Sequence, residues 1–96
     1  MRTGKPSPFE IHGGIGGYVH YREGPRFATM EYEMGGGDTQ MIVFMSGCRW
    51  HEPEVRDMQR AEAIELVQRL ANALPGRVVV HSVGEQSVVI DPEDAA

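Results

Sequence analysis

The stretch Thr39–Ser46, with the sequence TQMIVFMS, and the segment that follows it to residue 74 determine the fold that we expect for this chain. The stretch is mostly apolar or β-branched and is short, which is typical of a buried strand. The junction Gly47–Pro53, GCRWHEP, comes next. A helix is predicted from about Glu54 to Leu74, where a Pro-Gly pair ends it. We therefore predict a strand, a tight corner and one long helix at the centre of the domain.

The predicted helix has a proline at its start and one apolar stripe. Pro53 suits the first helical position, because that position needs no backbone N–H donor. Apolar residues then recur every three or four positions, the spacing of one helix face. These residues are Met58, Ala61, Ile64, Val67, Leu70, Ala71 and Leu74, and Ala63 and Leu66 widen the stripe. We expect this face to pack on a sheet.

Short segments of strand-like sequence flank the helix on both sides. We predict strands over residues 9–12, 18–23, 26–34, 39–46, 77–83 and 87–91, separated by glycine- and proline-containing turns. In the third strand Ala28, Met30 and Tyr32 alternate with Thr29 and Glu31, as in an antiparallel strand with one solvated face. The expected fold is α+β, with the order β-β-β-β-α-β-β. An antiparallel sheet of five to six strands would carry one helix on one face, in a single domain spanning residues 9–92. Residues 1–8 are expected to form a flexible arm and residues 93–96 a tail.

Composition and charge exclude several classes of function. The chain has 96 residues and a formal net charge of −5. Residues 31–96 carry twelve acidic and five basic side chains, a balance that repels nucleic acid and favours basic partners. The start of the chain lacks the apolar core of a secretory signal, and no apolar run is long enough for a membrane helix. With Cys48 as the single cysteine, these features predict a cytoplasmic protein that binds neither membrane nor nucleic acid.

The motifs with catalytic potential are incomplete. The glycine-rich segment Gly13–Gly17 does not fit a dinucleotide-binding loop, because Val19 stands where the third glycine is required. Cys48 and His51 could supply half of a zinc site or a thiol nucleophile with its base, but either chemistry needs further groups. The other histidines are scattered over different strands. The favoured interpretation of Cys48 is a half-buried structural residue, and we predict no catalytic residue, metal or cofactor.

An acidic surface is a better candidate for the functional site than any of these catalytic motifs. Glu31, Glu33 and Asp38 lie along one strand and its turn, where solvated carboxylates could face an arginine- or lysine-lined cleft. Trp50 is the only tryptophan and has two interpretations. It could cover the core as a lid, or it could anchor a partner.

Two groups of short motifs resemble those of small bacterial immunity proteins. In the first half these are Gly17-Tyr18, Tyr21–Gly24 and Met30–Glu33, followed by a glycine turn. In the second half, Ile42–Ser46 leads through Arg49-Trp50 and a proline into an amphipathic helix. The sequence is thus similar, over roughly residues 17–80, to the α+β immunity proteins of polymorphic toxin systems that carry a tryptophan at a strand–helix junction.

The resemblance implies a non-catalytic protein that binds one cognate toxin and covers its active site. The toxin is expected to have a basic cleft. The residues expected to contact this partner are Glu31, Glu33, Asp38, Trp50 and Glu52. Two other classes stay open: a secretion chaperone or adaptor, and a small thiol- or metal-dependent enzyme that uses Cys48 and His51. The sequence also leaves open whether the chain forms a homodimer.

Overall fold

The computed structural model describes residues 7–93, which form one sheet of seven strands and one helix. The α+β class and the single helix predicted from the sequence are confirmed. The elements are β1 (Phe9–Gly13), β2 (Gly16–Glu23), β3 (Arg26–Met34), β4 (Thr39–Glu52), β5 (Arg56–Asp57), α1 (Arg60–Ala73), β6 (Arg77–His81) and β7 (Val88–Ile90). Of the predicted arm, only Ser7 and Pro8 are described, and the backbone N–H of Arg22 donates to the Pro8 carbonyl. The predicted tail lies outside the described residues except for Glu93.

The sheet is antiparallel except at one pair of strands. Its order is β1-β2-β3-β4-β6-β7, with β5 paired to β4 beside this path. Strands β4 and β6 run parallel, so the purely antiparallel sheet predicted from the sequence is wrong at this pair. The reason is the helix between them, which carries the chain back to the end where β4 began, and a crossover of this kind produces a parallel neighbour.

Strand β4 continues through the segment predicted to be a corner. It runs over 14 residues, from Thr39 to Glu52. Its pairing with β3 shifts between Met30, opposite Cys48, and Glu31, opposite Phe44. Residues 45–47 therefore form a bulge. The bulge interrupts the alternation of the strand, which explains why the sequence pattern stopped at Ser46.

The helix begins six residues later than predicted. Residues Arg56 and Asp57 pair with β4 as strand β5, and the Met58 N–H donates to the Cys48 carbonyl at 3.1 Å. These backbone bonds hold the chain extended until Gln59, whose N–H donates to the Glu62 side chain at 2.9 Å and so caps the helix. Pro53, preceded by a cis peptide bond, is consequently not the first helical residue.

The core lies between the helix and one face of the sheet. The helix contributes Ala63, Leu66, Val67, Leu70 and Ala71 as buried residues. The sheet contributes the buried side chains of Val19, Tyr21, Ala28, Met30, Tyr32, Met41, Val43, Cys48, Trp50, Val78, Val80 and Ile90. Among residues 7–93 no helix is long and apolar enough to cross a membrane.

Candidate functional site

The face of the sheet that points away from the helix is called the open face here. Side chains alternate along a strand, so the neighbours of buried residues point to this face. Strands β1 to β4 place on it the side chains of Glu10, His12, Tyr18, His20, Arg22, Phe27, Thr29, Glu31, Glu33, Arg49 and His51. The open face is therefore rich in aromatic and charged groups, and it is the candidate functional surface.

Three histidines lie along one row of rings on the open face. The rings of His12 and His20 lie 4.0 Å apart between centroids. Phe27 follows, 5.6 Å from His20 and 5.3 Å from His51. The histidines lie on different strands as predicted, but His12 and His20 are in contact and are not isolated residues. Strand pairing brings them together, because β1, β2, β3 and β4 are successive neighbours in the sheet.

A concavity of about 400 Å³ opens beside this row of rings. Its lining residues are Tyr18, His20, Thr29, Ser46, Gly47, Arg49, His51 and Asp57. The bulge in β4 helps to form it, because Gly47 has no side chain and a Cβ there would overlap Glu31. Strand β5 supplies Asp57 at the opposite rim.

The concavity contains one charged pair and two imidazole rings. Arg49 donates from Nη1 to Asp57 at 3.0 Å. The Nε2 atom of His51 lies 2.8 Å from the hydroxyl of Thr29. Partial burial of His20, together with the neighbouring His12, lowers the pKa of His20 below its usual value of 6.5.

The predicted acidic contact residues lie in different environments. Glu31 and Glu33 are both exposed on the open face, and Asp38 is exposed in the turn between β3 and β4. Glu52 instead accepts hydrogen bonds from Arg22 at 2.8 and 3.3 Å. This partner lowers the pKa of Glu52.

Trp50 lies on the helix side of the sheet and is only 2% exposed. Its ring packs edge-on against Tyr21, with 6.2 Å between centroids. Its Nε1 donates to Glu62 at 3.2 Å. The structure therefore places Trp50 in the core, where its ring is not presented to a partner, and the lid interpretation describes its position.

Cys48 and His51 do not meet, because they point to opposite faces of β4. Cys48 is 2% exposed and its thiol donates to the Phe44 carbonyl at 3.4 Å. Burial, followed by the negative charge of Glu31, raises the pKa of the thiol to about 12, so very little thiolate forms near neutral pH. Within residues 7–93 no group of three or more histidine, cysteine or acidic side chains is arranged to hold a metal ion.

Sequence reasoning missed most residues of the concavity. Tyr18, His20 and Arg49 were not grouped, although each directly follows or precedes a residue that the alternation pattern buries. That alternation is the signal that could have placed them on one face. Comparison with family models, with curated proteins and with solved structures found no match to this chain.

Proposed function

We propose that this chain is a non-catalytic immunity protein, which acts in the bacterial cytoplasm by binding one toxin and blocking the toxin's active site. The proposal combines the sequence resemblance with one structural observation: the described residues leave one whole face of the sheet uncovered. Six strands side by side, spaced by about 4.8 Å, span roughly 24 Å. A face of this width suits a protein interface of ordinary size, which buries about 800 Å² on each partner.

The charges on the open face support a partner with a basic surface. Most other exposed carboxylates near the sheet bind an arginine of the same chain, such as Glu23 with Arg69 at 2.9 Å. Glu31 and Glu33 form no salt bridge with any of residues 7–93. Their charges are thus available to the arginines or lysines of a partner, which would accelerate association.

The exposure and pairing of these side chains support a smaller contact set than the five residues expected from the sequence. Glu31 and Glu33 form its centre, with Asp38 at the edge. Glu52 can join only by exchanging its bond to Arg22 for one to the partner, and Trp50 supports the surface from behind. Tyr18, which is 48% exposed, offers an aromatic contact beside Glu31, its cross-strand neighbour. Tyrosine is among the residues enriched at interfaces.

The test is affinity capture of the tagged chain from its source cell, followed by mass spectrometry of stoichiometric partners. We expect one partner, whose expression alone arrests growth and whose co-expression with this chain restores it. Capture of several weakly held clients without toxicity would contradict the proposal and favour a secretion adaptor. Capture by a variant with Tyr18→Ala and Glu31→Lys should fail, whereas capture by Glu65→Lys, on the outer side of the helix, should succeed.

A further inference from the structure

The concavity on the open face has the features of a small-molecule site. Its volume of about 400 Å³ lies within the range of ligand pockets, about 300 to 1,000 Å³. A cation, two imidazoles and the hydroxyl groups of Thr29 and Ser46 converge on it from three strands, β2, β3 and β4. We propose that the concavity binds a small anion in which a carboxylate or phosphate is attached to a flat ring. The proposal does not depend on the toxin-binding function.

Arg49 is the group that would bind the anion. Its side chain is half exposed and it contacts Asp57 through Nη1 alone. Its Nε and Nη2 atoms form no hydrogen bond with residues 7–93, so two further donor atoms remain for a ligand. A guanidinium with two free donors can bind a carboxylate or phosphate through two parallel hydrogen bonds.

The carboxylate of Asp57 would repel an anion in the concavity, but its exposed position makes this repulsion weak. The side chain of Asp57 is 89% exposed, so water solvates its charge well and screens its repulsion. The Asp57 carboxylate can also leave Arg49 at little cost, because an exposed ion pair contributes little stability. Glu31 lies against Gly47 but does not line the concavity.

The rings and hydroxyls define the rest of the ligand. Tyr18 and His20 line one wall from β2, and His51 lines another from β4. Aromatic walls favour a flat ligand that can stack on them. Ser46 adds a hydroxyl group that can donate to a further oxygen of the anion. The Thr29 hydroxyl, which lies 2.8 Å from His51 Nε2, can do the same when His51 donates their shared hydrogen bond. A ring that bears an anionic group therefore satisfies both the walls and Arg49.

The test is a nuclear magnetic resonance titration of the full chain with benzoate, adenosine monophosphate and inorganic phosphate. We expect saturable shifts at Tyr18, His20 and His51 with at least one of the two ring-bearing anions. Benzoate alone would identify a carboxylate ligand and adenosine monophosphate alone a phosphate ligand. Inorganic phosphate should bind about tenfold more weakly, since it makes no ring contacts. The proposal is overturned if neither ring-bearing anion gives saturable shifts, or if inorganic phosphate binds as tightly as they do.

Three variants test whether Arg49 binds the anion. Arg49→Gln should weaken binding about tenfold or more, because it removes a charged donor pair. Arg77→Gln is the matched control: Arg77 forms a similar exposed pair with Asp91 at 2.8 Å but does not line the concavity, so binding should not change. Asp57→Asn should tighten binding, because it removes the competing carboxylate. A gain of affinity cannot result from unfolding, so unchanged or weaker binding by this variant, with Arg49→Gln binding normally, would refute the role of Arg49.

Discussion

Glu62 connects the start of the helix to strand β4. Its carboxylate accepts hydrogen bonds from the Gln59 N–H at 2.9 Å, from Trp50 Nε1 at 3.2 Å and from Arg56 at 2.8 Å. Arg56, followed by the Gln59 N–H, lowers the pKa of Glu62 to about 2. One side chain therefore combines a helix cap with support for the buried tryptophan.

We predict that Glu62→Gln lowers the free energy of unfolding near neutral pH by about 1 kcal/mol, the usual cost of a lost cap. The folded-state pKa of about 2 lies below the unfolded value of 4.5. The stabilisation by Glu62 is thus complete above the unfolded value and is lost as the pH falls through the folded value. The wild type should therefore lose more stability than Glu62→Gln on acidification. Urea unfolding across this range measures the difference.

The exposed Glu65, on the outer side of the helix, provides the control for this experiment. It forms no side-chain hydrogen bond with residues 7–93, so Glu65→Gln should follow the wild type at every pH. A destabilisation of Glu62→Gln that stays constant with pH would contradict the electrostatic origin of the effect and leave only a packing contribution.

Trp50 provides a second prediction, because its burial makes it a stability residue. Trp50→Ala should lower the free energy of unfolding by about 3 to 5 kcal/mol, the range for truncating a large buried aromatic side chain. Trp50→Phe keeps most of the ring volume and should cost less. Denaturant unfolding checks both values. If Trp50→Phe folds normally but loses the captured partner, Trp50 contacts the partner and the lid interpretation is incomplete.

At the scale of elements, the bulge in β4 shapes the concavity and depends on Gly47. A Cβ at this position would overlap both the Cβ and a carboxylate oxygen of Glu31. We predict that Gly47→Ala lowers the free energy of unfolding by about 1 to 3 kcal/mol, the typical cost of overpacking. Gly36→Ala is the matched control, because a Cβ on Gly36 would meet no atom within 4 Å.

Denaturant unfolding of both variants measures this prediction, and the resonances of Tyr18 and His51 report on the shape of the concavity. Gly47→Ala should shift them and Gly36→Ala should not. Equal stabilities and unchanged resonances in the two variants would show that Glu31 moves aside freely and that the bulge tolerates a side chain.

Alternation of apolar and polar residues was enough to predict most of the strands. The three-to-four spacing predicted only part of the buried helix face, because Ala61 is exposed and Ile64 and Leu74 are partly buried. The alternation placed β3 correctly at Arg26–Met34, and the spacing identified Leu70 and Val67 as core residues.

Both patterns failed where a tertiary contact decides the local structure. Strand β4 continues past Ser46 because β3 pairs with it beyond the bulge. The helix starts at Arg60 because β5 holds the preceding residues extended.

The candidate site was harder to predict than the fold. The sequence shows which side chains share a face of one strand, as it did for Thr29, Glu31 and Glu33. It does not show which residues of neighbouring strands lie side by side, since this depends on the register of each hairpin. The contact between His12 and His20 follows from the register of β1 on β2. The proximity of His51 to Phe27 follows from a second register shift between β3 and β4, at Phe27 and Ala28, which leaves His51 as an extra residue.

At the scale of the whole molecule, the chain has a net charge of −5, but only some of its carboxylates are free to bind a partner. Glu23, Glu52, Glu62 and Asp91 each bind an arginine of the chain, whereas Glu31 and Glu33 do not. We predict that Glu31→Lys combined with Glu33→Lys slows association with the captured partner about tenfold or more at low salt.

Stopped-flow or surface plasmon resonance measurements at several salt concentrations test this prediction. The difference between the variant and the wild type should shrink as salt rises, because screening weakens interactions between exposed charges. Glu65→Lys reverses one charge on the outer side of the helix and should change the association rate only slightly. An association rate that is insensitive to the Glu31 and Glu33 changes at low salt would remove both residues from the encounter surface.

The parallel pairing of β4 with β6 has a consequence for the order of folding. Strands β1 to β4 join through short hairpins, whereas β6 can pair only after the helix has closed a longer loop, which is a slower event. Until then the half of β4 from Thr39 to Phe44 is an unpaired apolar edge, a type of edge that favours aggregation. We expect pulse-labelling hydrogen exchange to show protection of β2 and β3 before β6. Docking of β6 would then both cover this edge of β4 and provide the edge on which β7 pairs, and it would end the period in which the apolar edge of β4 is open to self-association.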